Sequence, residues 1–250
     1  MPEQYASRLK IGVVTPSTNT TLEPDCHALC PDGVTAHTAR ISIQNKKISG
    51  DAAYDEHVKA MRAGIAGAIA QVITCAPDHL IMGVALEAFW GGLEGSKSLQ
   101  GELEQSAGVT VSMGSLAMDS ALKTLGCKKI AALTPHMPAG DEQVRSWFEQ
   151  AGYDMVNFIG LKCPSPREIA EVPVSDINAA LAKLDDPSVE AIVQVGTNLQ
   201  FRSIALAAET KLKKPVLALN EVMMWDALRR HQIDDSVAGA GLLWEKRTHA

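Results

Sequence analysis

The chain reads as two copies of one structural unit, and this duplication constrains the fold more than any other feature. The segment Lys10-Ile-Gly-Val-Val-Thr-Pro16 recurs as Lys129-Ile-Ala-Ala-Leu-Thr-Pro135. Two further pairs follow in the same order: the apolar runs that end at Gly83 and Gly196, and Met118-Asp-Ser-Ala-Leu122 with Trp225-Asp-Ala-Leu228. Matching segments in the same order predict a fold built from two similar halves.

The spacing of apolar residues predicts the class of the fold. Short β-branched runs alternate with amphipathic helical segments, a pattern typical of parallel sheets covered by helices. A hydrophobic content of 46% with only 4% aromatic residues favours small side chains between helices and sheets. We predict an α/β fold of two pseudo-symmetric halves, residues 1–115 with 222–250 and residues 116–221, each a parallel sheet flanked by helices. The predicted strands are 11–15, 36–43, 79–82, 109–113, 130–134, 192–195 and 216–219, and the predicted helices begin at Asp51, Asp141, Ser203 and after Ser175 as the capping residue.

Charge and cysteine content argue against several classes of function. A net charge of −6 without a long basic run disfavours a nucleic-acid partner, because binding to phosphates requires clustered Lys and Arg. The N-terminus lacks a signal-peptide pattern, and the most apolar stretch, 60–74, is shorter than the about 20 residues of a membrane span. We therefore expect a cytoplasmic protein without a membrane partner. Five irregularly spaced cysteines predict reduced thiols, and Cys26-His-Ala-Leu-Cys30 has no second ligand cluster, so we expect no metal site.

A binding site is predicted at the carboxyl ends of the strands, where ligands of parallel sheets are bound. If the two halves face each other, four segments meet there: 16–19, 83–87, 135–137 and 196–200. Their glycines allow close backbone approach, and their hydroxyl and amide groups donate hydrogen bonds to a small anion. The chain contains neither GxGxxG nor GxxxxGK[ST], so no nucleotide cofactor is expected.

These segments resemble a known group of enzymes. Arg8-Leu-Lys-Ile-Gly-Val-Val-Thr-Pro-Ser-Thr-Asn19-Thr is similar to the opening of maleate cis-trans isomerases, and Leu133-Thr-Pro-His136-Met is similar to their central motif. Ile81-Met-Gly83 and Trp225-Asp-Ala-Leu-Arg229 resemble arylmalonate decarboxylase. The whole plan resembles the aspartate/glutamate racemase superfamily, to which these enzymes and hydantoin racemase belong.

The resemblance implies an active site in the cleft between the halves, with a small carboxylic acid as substrate. Members typically use one or two cysteines placed after the third strand of each half, and in this chain Gly83 and Gly196 stand at those positions. Asn19 matches a substrate-binding asparagine, and His136 replaces a tyrosine that contacts the substrate. The resemblance therefore implies a retained anion site without either of the usual thiols.

Each candidate residue also has a purely structural interpretation. Asn19 is either a turn or helix-capping residue or a ligand contact. His136 is either a surface histidine or a proton carrier, and Glu87 is either a solvated acid near a helix start or a general acid–base. Three arginines are further candidates for pairing with a substrate carboxylate, although no spacing selects one: Arg40, Arg202 and Arg229. We predict His136 and Glu87 as catalytic residues, and as substrate-binding residues Pro16, Ser17, Asn19, Gly83, Val84, Gly196, Thr197 and Asn198.

The predicted function is a cofactor-independent isomerase or lyase that acts on a small carboxylic or dicarboxylic acid without the two usual cysteines. The amides of Val84 and Thr197 would hold a carboxylate oxygen, and His136 or Glu87 would move the proton. Two alternatives remain open: a hydrolase of a small amide or cyclic imide, and a protein that binds a carboxylate without turnover. The apolar helices also permit a homo-oligomer.

Overall fold

Two similar sheets of parallel strands form the centre of the computed structural model, which describes residues 5–48 and 50–246. The first sheet has the order β2-β1-β3-β4 and the second the order β6-β5-β7-β8. The strands of the first sheet are β1 (Leu9–Pro16), β2 (Val34–Ile41), β3 (His79–Met82) and β4 (Thr110–Met113). The strands of the second are β5 (Lys129–Thr134), β6 (Asp154–Gly160), β7 (Ala191–Gln194) and β8 (Val216–Ala218). The identical order confirms the predicted two-fold repetition of one α/β unit.

Helices cover both sheets and join the strands. In the first half these are α1 (Leu22–Ala28), α2 (Gly50–Val72), α3 (Ala85–Phe89) and α4 (Gly92–Ala107). The later helices are α5 (Gly114–Leu125), α6 (Pro138–Gln150), α7 (Val174–Leu184), α8 (Arg202–Leu212) and α9 (Leu219–Arg230). Helices α5 and α9 pack against each other, and α9 also contacts β3 and β4 of the first sheet. The placement of the C-terminal segment in the first half and the residue boundaries of the halves stay predictions.

The predicted strands and helices are present in the structure, although some of their bounds differ and further elements were not predicted. Ser175 does not cap α7, because that helix begins one residue earlier, with Pro173 as its N-cap residue. Strand β6 was not predicted; it is an edge strand of half-buried residues without the apolar run that marks β7. Helices α1, α3, α4, α5 and α9 were not predicted either; in α4, glycines and polar residues hide the apolar periodicity.

Helix α2 begins within one residue of the predicted start at Asp51 and extends beyond the apolar stretch 60–74. By length and composition alone, Ala53–Cys75 is sufficient to cross a membrane. The helix packs instead on β1 and β2 and on α4. A core helix of a soluble protein passes the same compositional test, so this helix is weak evidence for a membrane span.

Candidate active site between the halves

A cavity lies where the carboxyl ends of the two sheets face each other. It contains about 700 Å³ of space outside the protein atoms, part of it open to solvent. All four predicted segments contribute to its wall, through Pro16, Val84, His136 and Gly196 among others. The duplication explains this arrangement, because equivalent strands of the two halves end at the same cleft.

Thr197 joins the two halves inside this cavity. Its hydroxyl donates a hydrogen bond to the carbonyl oxygen of Gly83 at 3.0 Å and accepts one from the side-chain amide of Asn19 at 3.0 Å. The side-chain oxygen Oδ1 of Asn19 in turn accepts hydrogen bonds from the backbone N–H groups of Thr21 and Leu22. Asn19 therefore holds the turn before α1, whose N-cap is Thr21, and also lines the cavity, so the structural and functional interpretations of this residue are compatible.

Asn198 forms a second connection beside the first. Its side-chain oxygen accepts a hydrogen bond from the backbone N–H of Thr20 at 2.9 Å, and its amide nitrogen donates to the carbonyl of Pro166 at 2.8 Å. Thr21 donates its hydroxyl hydrogen to the carbonyl of Asn198. These contacts hold the cleft walls at a fixed separation, and they use most of the hydrogen-bonding capacity that the sequence assigned to a ligand.

Replacing Thr197 by valine is expected to lower the free energy of unfolding by about 2–4 kcal/mol, because the Asn19 amide and the Gly83 carbonyl would lose their buried partner. Urea denaturation of the ligand-free protein measures this loss. Thr210→Val is the matched control, since Thr210 is exposed and bonds only within its own helix. Equal stability of the two variants would show that the bridge between the halves contributes little.

Two polar groups in the cavity lack protein partners. Among the described residues, none hydrogen-bonds the Tyr54 hydroxyl or His136 Nε2, although both atoms are buried. Both side chains lie beside Gly140, because a Cβ atom at that glycine would stand 2.7 Å from Tyr54 Oη and 3.0 Å from His136 Cβ. Unpaired buried polar atoms are costly, so their presence indicates a place where a ligand supplies the partner.

Burial controls the protonation of these groups. Loss of solvent, together with the neighbouring His57, lowers the pKa of His136 to about 4. Burial also raises the pKa of Tyr54, with the charges of Asp141 and Glu87 acting in the same direction. Near neutral pH the site therefore presents a neutral imidazole and an intact phenol.

Cys163 lines the same cavity and was not predicted. It follows β6, and its backbone N–H donates to the carbonyl of Pro135 at 3.0 Å. Burial and the charge of Glu168 raise the pKa of its thiol to about 11. The two glycine loops contain no cysteine, but a third segment brings a thiol to the cavity.

The segments that follow β2 and β6 supply most of the lining residues that the sequence analysis missed. The duplication implies that the segment after β6 is equivalent to the segment after β2. This equivalence was missed because β6 was not predicted. From the first segment and the adjoining α2 come Ile43, Ile48, Tyr54, His57 and Met61, and from the second come Cys163, Ser165, Pro166 and Ile169.

Glu87 and Ser17 do not lie at the cavity. The Glu87 carboxylate is buried against Arg62, whose Nε stands 2.7 Å from Oε2. Leu86 lines the cavity, and the next residue of a helix points about 100° away, which turns Glu87 towards α2. The Ser17 hydroxyl bonds instead with the backbone of Ile43, so neither position supports the predicted contact with a substrate.

The three candidate arginines are used elsewhere. Arg40 donates to the Asn19 carbonyl and to Glu23, and Arg202 pairs with Asp25. Arg229 donates to backbone carbonyls near the C-terminal end, including that of Ile233 at 2.6 Å. Over the described residues, the cavity wall includes neither Lys nor Arg. An anion in the cavity would therefore be held by neutral hydrogen-bond donors.

Residues 5–48 and 50–246 contain no set of side chains arranged to bind a metal ion. These ranges contain no group of three or more His, Cys, Asp or Glu side chains that could hold a metal ion. The five cysteines, all within the described ranges, are free thiols.

The duplicated parallel sheets and the cleft between them define an α/β protein of two repeated halves. The chain belongs to the arylmalonate decarboxylase family, whose model matches residues 11–244. This membership supports an enzyme of the isomerase or decarboxylase type that acts on a small acid.

Individual relatives span nearly the whole chain. A maleate isomerase of Nocardia farcinica is 25% identical over 244 residues, 94% of each chain, and one of Pseudomonas putida is 24% identical over 243 residues, 94% of this chain and 96% of the relative. The solved Nocardia farcinica maleate cis-trans isomerase, a cysteine-to-serine mutant with a covalently bound succinylcysteine intermediate, gives a TM-score of 0.86 at 23% identity and covers 94% of this chain and 98% of its own. Arylmalonate decarboxylase gives a TM-score of 0.76 at 15% identity, over 95% of this chain and 99% of its own. These structures show the same fold.

Proposed function

We propose that the protein is a cofactor-independent decarboxylase of small malonic acids that carry an apolar substituent. One observation supports this proposal: the cavity lining combines polar groups at the strand ends, here called the polar wall, with apolar side chains of neighbouring segments, here called the apolar wall, and includes neither Lys nor Arg over the described residues. The polar wall contains Asn19, Val84 and Thr197. The apolar wall is formed by Ile43, Ile48, Met61 and Ile169.

The two walls suit the two carboxylates of a malonate differently. One carboxylate would accept hydrogen bonds at the strand ends, where the amides of Val84 and Thr197 are the proposed donors. The other would lie against apolar side chains and lose its hydration, which destabilises its charge. Departure of that group as CO₂ removes the buried charge and leaves an electron pair that the retained carboxylate stabilises as an enediolate.

We also propose that this chemistry needs no thiol at positions 83 and 196, where the chain has glycine. Neutral His136 would contact the substrate through its unpaired Nε2 rather than carry a full charge. Glu87 has no part in the reaction, because its carboxylate is paired with Arg62 outside the cavity.

Isomerisation of an unsaturated diacid is the second candidate. It is favoured by the similarity to maleate isomerases over 94% of the chain. The apolar wall argues against it, because the two carboxylates of maleate would both require hydrogen-bond donors.

A substrate panel in deuterated water separates these functions. We expect methyl-, butyl- and phenylmalonate to release CO₂ and to yield acids with one deuterium on the α-carbon, while maleate stays unchanged. His136→Ala should reduce the turnover, and His27→Ala, at an exposed position away from the cavity, serves as the control.

Other outcomes of the panel would contradict the decarboxylase. Conversion of maleate to fumarate without CO₂ would favour the isomerase, and opening of a hydantoin ring would favour the hydrolase. Thermal stabilisation by malonates without turnover would indicate a binding protein, since a ligand at about 100 times its dissociation constant stabilises by roughly 2.7 kcal/mol.

A further inference from the structure

We propose that the Cys163 thiol donates the proton to the carbon that has lost CO₂. This inference rests on the proposed decarboxylation and assigns the group that completes it. The sequence gives no spacing signal for this role, because Cys163 belongs to the segment after β6 and not to either glycine loop.

The position of Cys163 is fixed by its surroundings. Its backbone is tied to Pro135 by the 3.0 Å hydrogen bond, and its side chain is only 7% exposed. Pro135, His136 and Gly196 belong to the same cavity wall. The thiol is therefore held beside the strand ends at which a carboxylate would bind.

An independent feature indicates that a polar ligand belongs in this space. Tyr54 is 5% exposed and lines the cavity, yet its hydroxyl finds no partner within the described part of the chain. A phenol in this position donates a hydrogen bond to an acceptor on the ligand. Tyr54 belongs to the first half and Cys163 to the second, so the two groups approach a bound ligand from opposite halves.

Other proton donors fit less well. The neutral imidazole of His136 is a weak acid, and Glu87 is outside the cavity. Of the five thiols, Cys163 alone is a described lining residue, while Cys26, Cys30, Cys75 and Cys127 lie elsewhere. Because the pKa of Cys163 is raised to about 11, its sulfur retains the proton at neutral pH and acts as an acid rather than as a nucleophile.

The proposed step is balanced without a further reactant. The C–C bond to the departing carboxylate breaks, and its electron pair remains as the enediolate. The S–H bond of Cys163 then breaks as a C–H bond forms at the α-carbon. The resulting thiolate takes a proton from water before the next turnover.

The test compares Cys163→Ala and Cys163→Ser with the wild type on butyl- and phenylmalonate in deuterated water. Cys127→Ala is the matched control, since Cys127 is also a buried thiol but lies outside the cavity. We expect kcat to fall by about 10²–10⁴-fold in both Cys163 variants, the typical contribution of a positioned acid, with KM nearly unchanged. We also expect the wild type to form one enantiomer of the deuterated acid and the Cys163 variants to form both.

The results distinguish the inference from the function on which it rests. An active wild type with equally active, equally enantioselective Cys163 variants would overturn the role of Cys163 and leave the decarboxylase intact. A folded wild type that turns over no malonate would overturn the proposed function and this inference with it. Serine preserves the size of the side chain, so Cys163→Ser keeps the comparison open if the alanine variant unfolds.

Discussion

Replacing Gly83 by alanine is expected to lower the free energy of unfolding by about 3 kcal/mol, the upper range of overpacking in a core. A Cβ atom at this position would stand 2.1 Å from Leu22 Cδ2 and 2.8 Å from the backbone oxygen of Val14. The leucine can move, but the Val14 oxygen belongs to a central strand and already accepts the N–H of Gly83 at 2.7 Å. A cysteine would meet the same obstruction, so introducing a thiol here is expected to destabilise the protein.

Urea denaturation of Gly83→Ala beside Gly67→Ala tests this expectation. Gly67 lies on the exposed side of α2, and a Cβ there would meet nothing within 4 Å. Its replacement should stabilise the helix by up to about 1 kcal/mol. For a chain of this size the loss at Gly83 corresponds to a Tm decrease of about 6–12 °C. An unchanged Tm for Gly83→Ala would mean that the strand end is less tightly packed than the structure indicates.

Acidification from pH 7 to pH 4.5 is expected to remove about 2.5 kcal/mol of stability through His79 alone. This ring is buried at the start of β3, where Nδ1 lies 2.8 Å from the Thr110 hydroxyl and Nε2 lies 2.8 Å from the Ser112 hydroxyl. Burial, aided by His231 and Arg230 and opposed by Asp226, lowers its pKa to about 3. In the unfolded chain His79 is protonated below about pH 6.5, whereas in the folded chain it stays neutral down to about pH 3. The free energy of unfolding therefore decreases as the pH falls through that range.

Comparison of the wild type with His79→Gln isolates this contribution, and His27→Gln controls for the loss of an exposed histidine. Other groups also titrate in this range. Burial raises the pKa of Glu221 to about 7, which makes the folded state more stable as the pH falls, whereas the low pKa of His136 acts in the same direction as His79. The difference between the urea-derived stabilities at the two pH values should shrink by about 2.5 kcal/mol in His79→Gln. If the free energy of unfolding of His79→Gln decreased between pH 7 and pH 4.5 as much as that of the wild type, the assignment to His79 would be wrong.

The duplication in the sequence was sufficient to predict the two sheets and the cleft, because equivalent strands bring equivalent loops together. It did not predict β6, whose edge position leaves its side chains half-buried and removes the apolar run. Because β6 was not predicted, Cys163 was not recognised as a site residue. Its place beside the strand ends becomes clear only when the segment after β6 is positioned.

The side chains of the site were harder to predict than its segments. Asn19 and Thr197 line the cavity, but the hydrogen bond between them joins residues 178 positions apart, which the sequence alone does not reveal. Glu87 was assigned to the site because it belongs to the segment after Gly83. In helix α3, however, Leu86 lines the cavity and the next residue, Glu87, points towards Arg62. Tyr54 lies on α2, far from any strand end in sequence, so only the packing of that helix over the cleft reveals it.

The groups that tie the halves together are different residues from those that form the apolar wall. The hydrogen bonds between the halves are made by Asn19, Thr197 and Asn198. The connecting segments outside the sheets supply Ile43, Ile48 and Ile169. Substitutions in the apolar wall are therefore expected to admit a different substituent while the hydrogen bonds between the halves persist. Substituent preference and the joining of the two halves should accordingly respond to different substitutions.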